Sequence, residues 1–164
     1  MSDRDSAFAE YFAARSGALR GTAFLLCGDW HRAEDLVQTA FTRLYVHWGR
    51  VSRHESLDPY VRTVLVRAFI DDGRRGWWRR ERPQETPVER EATPAPTDDR
   101  LVLMQALARV PPRQRAVLVL RYWEDLSIDE TAAALNCSAG TVKSQAARGL
   151  DTLRVLMTPP VNAE

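Results

Sequence analysis

Four neighbouring side chains in the C-terminal part of the chain have the chemistry of a DNA-reading surface. Lys143, Ser144, Ala147 and Arg148 recur at helical spacing, so one helix would present all four on one face. Lysine and arginine contact phosphates and guanine edges, while serine and alanine allow a helix to approach the bases closely. The spacing therefore predicts a surface that fits the major groove of DNA.

This face is expected to lie on the second helix of a helix-turn-helix. Ser127 and Glu130 have the spacing of a capping box, which predicts a short helix from residue 128 to about 135. Residues 136–138 interrupt the pattern, and Ser138 is a suitable N-cap for the next helix. The buried face of that next helix is predicted to contain Val142, Ala146, Leu150 and Leu153. Capped pairs of short helices with charged outer faces are also common in proteins that bind no DNA, so the pattern alone leaves both interpretations open.

A second candidate site is a tract of arginine and tryptophan at the end of a predicted N-terminal helix. It contains Arg74, Arg75, Trp77, Trp78, Arg79, Arg80 and Arg82. Arginine offers contacts to phosphates and tryptophan offers a stacking surface for bases, the combination that binds single-stranded or melted nucleic acid. The alternative is a solvated helix end, because cations are favoured near a helix C-terminus.

The residues that could support catalysis or metal binding are few and scattered. His31, His47 and His54 have no nucleophile or carboxylate at a recognisable catalytic spacing, so we expect no enzymatic activity. Cys27 and Cys137 lie in separate segments without a further ligand nearby. The sequence therefore predicts no metal site, no disulfide and no cofactor.

Composition is compatible with a soluble cytoplasmic protein of one medium or two small domains. The 164 residues are 45% hydrophobic and 27% charged, and no apolar run approaches the roughly 20 residues that span a bilayer. The net charge is +3 over residues 1–82, −3 over 83–100 and +1 over 101–164. Two basic ends thus flank an acidic middle, which is rich in proline and glutamate and is predicted to be a semi-extended linker.

Apolar periodicity predicts helices throughout the rest of the chain, and hence an all-α fold. A first helix is expected over residues 6–27, ending at Gly28, and a second after the cap Asp29. The second helix should bury Ala33, Leu36, Val37, Ala40, Phe41, Leu44, Tyr45 and Trp48. Residues 49–57 are predicted to form a loop, after which Asp58 caps a third helix with Pro59 in its first turn. A fourth helix after Asp98 or Asp99 is expected to bury Leu101, Met104, Leu107 and Ala108, and a fifth to run over residues 113–123.

Four ordered segments of the chain resemble one known family. Residues 33–41 read AEDLVQTAF, 60–71 read YVRTVLVRAFID, 110–127 read VPPRQRAVLVLRYWEDLS, and 137–150 read CSAGTVKSQAARGL. Over residues 6–156 the chain resembles a bacterial RNA polymerase sigma factor of the sigma-70 family, in the actinobacterial branch of the small extracytoplasmic-function group. The resemblance implies sigma region 2 at residues 1–82, an acidic flexible linker at 83–98, a region 4 helix-turn-helix at 99–158 and a short tail at 159–164.

The resemblance also implies roles for individual residues. The core-polymerase-binding helix would use Glu34, Asp35, Gln38 and Thr39, with Thr39 standing where the family often has glutamate. The −35 element would be read by Thr141 and the face from Lys143 to Arg148, with Arg121 on the DNA backbone. The −10 element would be bound by His47, Val51, Arg62, Arg67, Arg74, Arg75, Trp77 and Trp78. In relatives His47, Val51 and Arg67 correspond to positions that hold a flipped base, and Arg67 replaces a common asparagine. Because a guanidinium only donates hydrogen bonds, it would favour an acceptor-rich base such as guanine.

The function implied is that of a promoter-specificity subunit that directs transcription initiation at −10/−35 promoters. Its partners would be the β and β′ subunits of the polymerase core and promoter DNA, and the chain would be a monomer when free. Members of this group usually also have an anti-sigma protein as partner, although no residue here identifies one. Two rival hypotheses are a dimeric, ligand-sensing helix-turn-helix regulator and a helical adaptor or inhibitor. The dimeric regulator would bind a two-fold operator tightly by itself, whereas a sigma factor needs core polymerase.

Overall fold

The computed structural model describes residues 2–54, 56–77 and 98–159, and every regular element in these ranges is helical. The all-α prediction is confirmed. The N-terminal unit contains α1 (Asp3–Cys27), α2 (Trp30–Val46), α3 (Trp48–His54) and α4 (Leu57–Trp77). The C-terminal unit contains α5 (Asp98–Ala108), α6 (Pro112–Leu118), a π-helical turn (Val119–Trp123), α7 (Ile128–Leu135) and α8 (Ala139–Met157). Of the predicted linker over residues 83–98, residues 83–97 lie outside the described residues, and Asp98 belongs to α5 rather than to the linker.

Local signals set the ends of the first two helices. The Ser2 hydroxyl accepts a hydrogen bond from the Asp5 amide at 3.1 Å, which starts α1 three residues earlier than the apolar pattern indicated. Gly28 ends α1 with a left-handed φ of 72°, as predicted. The Asp29 carboxylate accepts from the His31 amide at 2.8 Å and begins α2.

The segment predicted to be a loop forms the short helix α3 instead. Trp48 is 8% exposed and Val51 is completely buried, so the helix presents two apolar residues three positions apart to the core. Phe8 packs edge-to-face against the Trp48 ring at 5.8 Å. Tyr45, which was expected to be buried, is 42% exposed. The chain therefore buries Trp48 by continuing in helix after α2, and not by extending the stripe of α2 itself.

The sequence predicted that Asp58 caps α4. In the structure Asp58 instead joins α4 to α1. It lies in the first turn of α4, where its Oδ1 accepts from the Tyr11 hydroxyl at 2.6 Å and from Arg15 Nε at 3.0 Å. A second donor of the Arg15 guanidinium contacts the other carboxylate oxygen. The Arg15 hydrogen bond is the main reason that the pKa of Asp58 lies below its usual value, while burial, followed by the bond to Asp58, raises the pKa of Tyr11.

We expect Asp58→Asn to destabilise the fold by about 1 kcal/mol near neutral pH, because the pair is partly exposed and screened by solvent. The pKa of Asp58 is lower in the folded chain than in the unfolded chain, so ionised Asp58 stabilises the fold at pH values above its unfolded pKa of about 3.8. This stabilisation is lost as the pH falls through the folded pKa. Urea unfolding at a series of pH values should therefore show that the free energy of unfolding falls less steeply in acid for Asp58→Asn than for the wild type. Asp72→Asn, at an exposed position of the same helix, is the control. If the free energy of unfolding depended on pH in the same way for the wild type and Asp58→Asn, the stabilising role of the Asp58 carboxylate would be contradicted.

Two expectations for the C-terminal unit need correction. In α5 only Leu107 of the predicted inward residues is buried, whereas Leu101 is 42% exposed and Ala108 is also exposed. In α8 Val142 is buried but Leu150 is 39% exposed, and Gly149 takes the inward position. A Cβ on Gly149 would lie 2.9 Å from Leu118 Cδ1, so α8 approaches α6 too closely there for a larger side chain.

The two units share one hydrophobic core. Leu26, Leu44 and Leu65 of the N-terminal unit lie in the same buried cluster as Val110 and Leu120 of the C-terminal unit. A smaller second cluster, formed by Val117, Ala132 and Val142, holds α6, α7 and α8 together. α4 of the N-terminal unit also packs directly against α7 of the C-terminal unit.

Candidate nucleic-acid and polymerase interfaces

The helix-turn-helix forms as its capping residues predicted. The Ser127 hydroxyl accepts from the Glu130 amide at 3.0 Å, and the Glu130 carboxylate accepts from the Ser127 amide at 3.1 Å. This is a complete capping box, and the Ser127 amide is the first reason that the pKa of Glu130 is lowered. Asn136 ends α7 with a left-handed φ of 53°, and Ser138 accepts from the Thr141 amide to begin α8. Two short polar signals thus place α8 at a defined position after α7.

The outer face of α8 is free of protein contacts over most of its surface. Lys143, Ser144, Ala147 and Arg148 are all exposed, and they lie on the side opposite Val142 and Gly149. The Ser144 hydroxyl donates to the Gly140 carbonyl at 3.0 Å, while Thr141 is half-buried with its hydroxyl 3.0 Å from that of Ser138. This face, named here the α8 face, presents two cations on either side of small residues, and such a surface can enter a major groove.

Arg121 lies on the π-helical turn beneath the helix-turn-helix. Its guanidinium donates to the Leu126 carbonyl and lies 5.9 Å from the Tyr122 ring centroid. It is half-buried. One donor therefore orders the turn before α7, and the remaining donors of the guanidinium are available for a phosphate.

The predicted polymerase-binding residues lie along α2. Asp35 and Gln38 are exposed, whereas Glu34 and Thr39 are half-buried. Glu34 Oε1 pairs with Arg20 Nε at 2.8 Å, and the Thr39 hydroxyl donates to the Asp35 carbonyl at 2.9 Å. Asp35 and Gln38 are thus the two polar side chains of this set that project outward for a partner.

An open cleft of about 850 Å³ lies between the C-terminal end of α2 and the start of α4. Its lining includes Arg43 and His47 from the α2 end and Tyr60, Thr63 and Arg67 from α4. The structure thus brings His47 and Arg67 together, as predicted. Val51, by contrast, is completely buried, so its side chain supports the cleft from within the core and does not line it. The prediction that Val51 contacts a base directly needs correction for this reason.

Sequence reasoning missed Arg43, Tyr60 and Thr63 as cleft residues. Tyr60, Thr63 and Arg67 are spaced three and four residues apart, so a helical projection of α4 centred on Arg67 would have placed them on the same face. Arg62 points elsewhere, towards the C-terminal unit. The side chains of Arg74, Arg75 and Trp77, and all of Trp78, lie outside the described residues, so the role predicted for the arginine and tryptophan tract remains a prediction.

Comparison with known proteins decides the family. Residues 12–79 match the model of sigma-70 region 2, and residues 100–153 match that of sigma-70 region 4. The RNA polymerase sigma-E factor of Streptomyces coelicolor is 41% identical over 154 residues, which cover 90% of this chain and 84% of that protein. The chain belongs to the sigma-70 family of RNA polymerase sigma factors. Sigma factors give bacterial RNA polymerase its promoter specificity, so this protein acts in transcription initiation.

More distant relatives agree with this family. The ECF RNA polymerase sigma factor SigW of Bacillus subtilis is 26% identical to this sigma factor over 175 residues, covering 93% of this chain and 89% of that protein. The fold is similar to that of the sigma factor RpoE in its co-crystal structure with the anti-sigma factor NepR from Bartonella quintana. The TM-score is 0.73 at 24% identity, with 92% of this chain and 96% of that chain covered.

The family membership also decides between the competing hypotheses. Residues of both regions account for the N-terminal unit and the helix-turn-helix together, so neither a ligand-sensing regulator nor a helical adaptor is needed to explain the chain. Sigma factors are non-enzymatic subunits of the polymerase. Within the part of the chain that the structure describes, no helix is long and apolar enough to cross a membrane.

Proposed function

We propose that this sigma factor reads the −35 element with the α8 face, docks on the polymerase core through α2, and holds a −10 base in the cleft between α2 and α4. The observation that supports this most strongly is the α8 face. Lys143, Ser144 and Arg148 are exposed together on a helix whose opposite side is fixed by Val142 and Gly149. A rigid helix with outward donors is what direct reading of base edges requires.

The cleft is suited to one unstacked base. Tyr60 offers a ring for stacking, Thr63 a hydroxyl, and Arg67 a guanidinium that only donates hydrogen bonds. We therefore propose a preference for an acceptor-rich base, with guanine as the best fit. Extruding a base from duplex DNA costs a few kcal/mol, which contacts in the cleft must offset. The arginine and tryptophan tract from Arg74 to Arg82 would contact the rest of the melted strand.

Docking on the polymerase would involve the outward residues Asp35 and Gln38, which we assign to the coiled coil of the β′ subunit. Core β and β′ subunits, promoter DNA and an anti-sigma protein are the proposed partners, and the free chain is proposed to be monomeric. We place the protein in the cytoplasm because the polymerase acts there, and we assign it no catalytic step and no cofactor.

Arg148→Ala should weaken recognition of the −35 element by about 1–3 kcal/mol and relax specificity at one base pair, because a guanidinium reads base edges directly. Run-off transcription with core polymerase on templates that carry every base at each −35 position measures this effect. Arg154→Ala is the matched control, since Arg154 is on the same helix and 76% of its side chain is exposed. Equal promoter preference for Arg148→Ala and wild type would refute the assignment of Arg148.

A further inference from the structure

The first turn of α1 contacts the C-terminal end of α2. Arg4 donates through Nη2 to the Tyr45 carbonyl, and its guanidinium lies 5.0 Å from the centroid of the Tyr45 ring. The Tyr45 hydroxyl donates to Asp5 Oδ1 at 2.8 Å. Two consecutive residues of α1 thus hold one residue of α2 at both its backbone and its side chain. Arg4, Asp5 and Tyr45 are named here the N-terminal clamp.

The clamp is anchored in the ordered start of α1. The Ser2 hydroxyl that caps α1 accepts from the Asp5 amide, so the backbone of Asp5 is fixed within the first turn. The Phe8 ring, one turn later, packs edge-to-face against the Tyr45 ring at 5.1 Å. The hydrogen bond from Tyr45 is the main reason that the pKa of Asp5 lies below its usual value. These contacts favour one position of the end of α2 against α1.

The carbonyl that Arg4 binds belongs to the last turn of α2. Carbonyl groups there have no partner within the helix, and the helix dipole favours a cation beside them. The His47 amide donates to the Arg43 carbonyl at 3.1 Å, and the His47 carbonyl accepts from the Val51 amide at 3.0 Å. Arg4 therefore stabilises the turn in which α2 ends and α3 begins.

The same turn forms one wall of the proposed −10 cleft. Arg43 and His47 line the cleft from the α2 side, and both are exposed. A step of two residues rotates a helix by about 200 degrees, so Tyr45 points away from Arg43 and towards α1. Arg4 and Asp5 precede residue 12, where the match to sigma-70 region 2 begins, so the family match assigns them no role.

We propose that the N-terminal clamp positions Arg43 and His47 in the −10 cleft, which makes Arg4 and Asp5 positioning residues for discrimination of the −10 base. The inference rests on the function proposed above for the cleft. Neither Arg4 nor Asp5 touches the base, and both act through the end of α2. Without the clamp the last turn of α2 opens more often, so a smaller fraction of molecules presents the cleft wall in the binding position.

The test compares Arg4→Met with Arg4→Lys in the intact protein. Methionine cannot donate to the Tyr45 carbonyl, whereas the lysine ammonium can. Amide hydrogen exchange followed by mass spectrometry measures opening of residues 43–48. Run-off transcription with core polymerase, on templates that carry each of the four bases at every −10 position, measures base discrimination. For Arg4→Met we expect faster exchange in this segment and about two- to fivefold weaker −10 discrimination, while Arg4→Lys stays close to wild type.

Asp5→Ala is a second variant that removes the acceptor of the Tyr45 hydroxyl and should act in the same direction, whereas Asp5→Asn keeps an acceptor oxygen. Arg32→Met is the matched control, because it removes an exposed cation at the opposite end of α2. Faster exchange without a change in −10 discrimination would show that the clamp is only structural, and would overturn the proposal. Unchanged exchange in both Arg4→Met and Asp5→Ala, or an equal loss of −35 and −10 discrimination, would overturn it as well.

Arg67→Ala distinguishes this failure from failure of the proposed function, because Arg67 lines the cleft from α4 and is not part of the clamp. If Arg67→Ala changes the −10 base preference and Arg4→Met does not, only the positioning role of the clamp is wrong. If neither variant changes the preference, the cleft does not read the −10 base, and the proposed function of the cleft fails together with this inference.

Discussion

Asp35→Arg combined with Gln38→Ala should greatly weaken binding of this sigma factor to core polymerase. Both side chains project outward from α2, and the first change places a cation where the partner would meet a carboxylate. Losing a charged contact and replacing it with repulsion costs about 2–5 kcal/mol at an interface, which corresponds to at least a tenfold loss of affinity. Titration of the core with fluorescently labelled sigma factor measures the change, and gel filtration shows it as loss of co-elution.

The fold should be unaffected by this pair of changes, because neither side chain is buried. Thermal unfolding therefore accompanies the binding measurement, and Glu10→Arg provides a charge reversal at an exposed position of α1. Normal co-elution of the double variant with core polymerase would show that these α2 residues are not part of the interface. Weak binding by Glu10→Arg as well would show that the effect reflects total charge and not the α2 surface.

Arg115→Met should have the largest effect on stability. Arg115 is only 5% exposed, and its guanidinium donates to three backbone carbonyls: Leu26 at 2.6 Å, Val110 at 2.7 Å and Ala108 at 2.8 Å. Methionine fills a similar volume but leaves these carbonyls without this donor in a buried region, which costs about 3 kcal/mol or more. The midpoint of urea unfolding should fall accordingly.

Arg113→Met is the control for Arg115→Met, because Arg113 is exposed and lies two residues earlier on α6. Arg115→Lys should recover only part of the loss, since an ammonium group lacks the fork of donors that reaches several carbonyls at once. Equal unfolding midpoints for Arg113→Met and Arg115→Met would contradict the structural role of Arg115.

The features that sequence predicted best are those that depend on a few neighbouring residues. The Ser127 and Glu130 capping box, the Ser138 cap and the left-handed Gly28 are local, so their residue types were sufficient to place the helix ends. The residues of the α8 face could be predicted because the helical periodicity of a single helix places them on one side. Its inward side was less well predicted, because the position of Gly149 against Leu118 depends on how closely α6 approaches.

The features that sequence missed depend on distant contacts. The short helix α3 has few local signals and is stabilised by burial of Trp48 and Val51 against other helices. Asp58 has a sequence typical of a cap, yet Arg15, 43 residues earlier, takes its carboxylate. Arg67 meets Ala134 across 67 residues, and no spacing in the sequence could indicate that contact. Sequence therefore identified the candidate DNA-binding side chains but not the groups that hold two of them in the free protein.

The most direct test of the central claim is in vitro transcription from a genomic promoter library by core polymerase, with and without this protein. Sequencing the transcript ends identifies the promoters used. We expect initiation at a restricted set of promoters that share a −35 and a −10 element, only when the protein is present, with the −35 preference altered in Arg148→Ala. Identical transcripts with and without the protein would contradict its assignment as a promoter-specificity subunit.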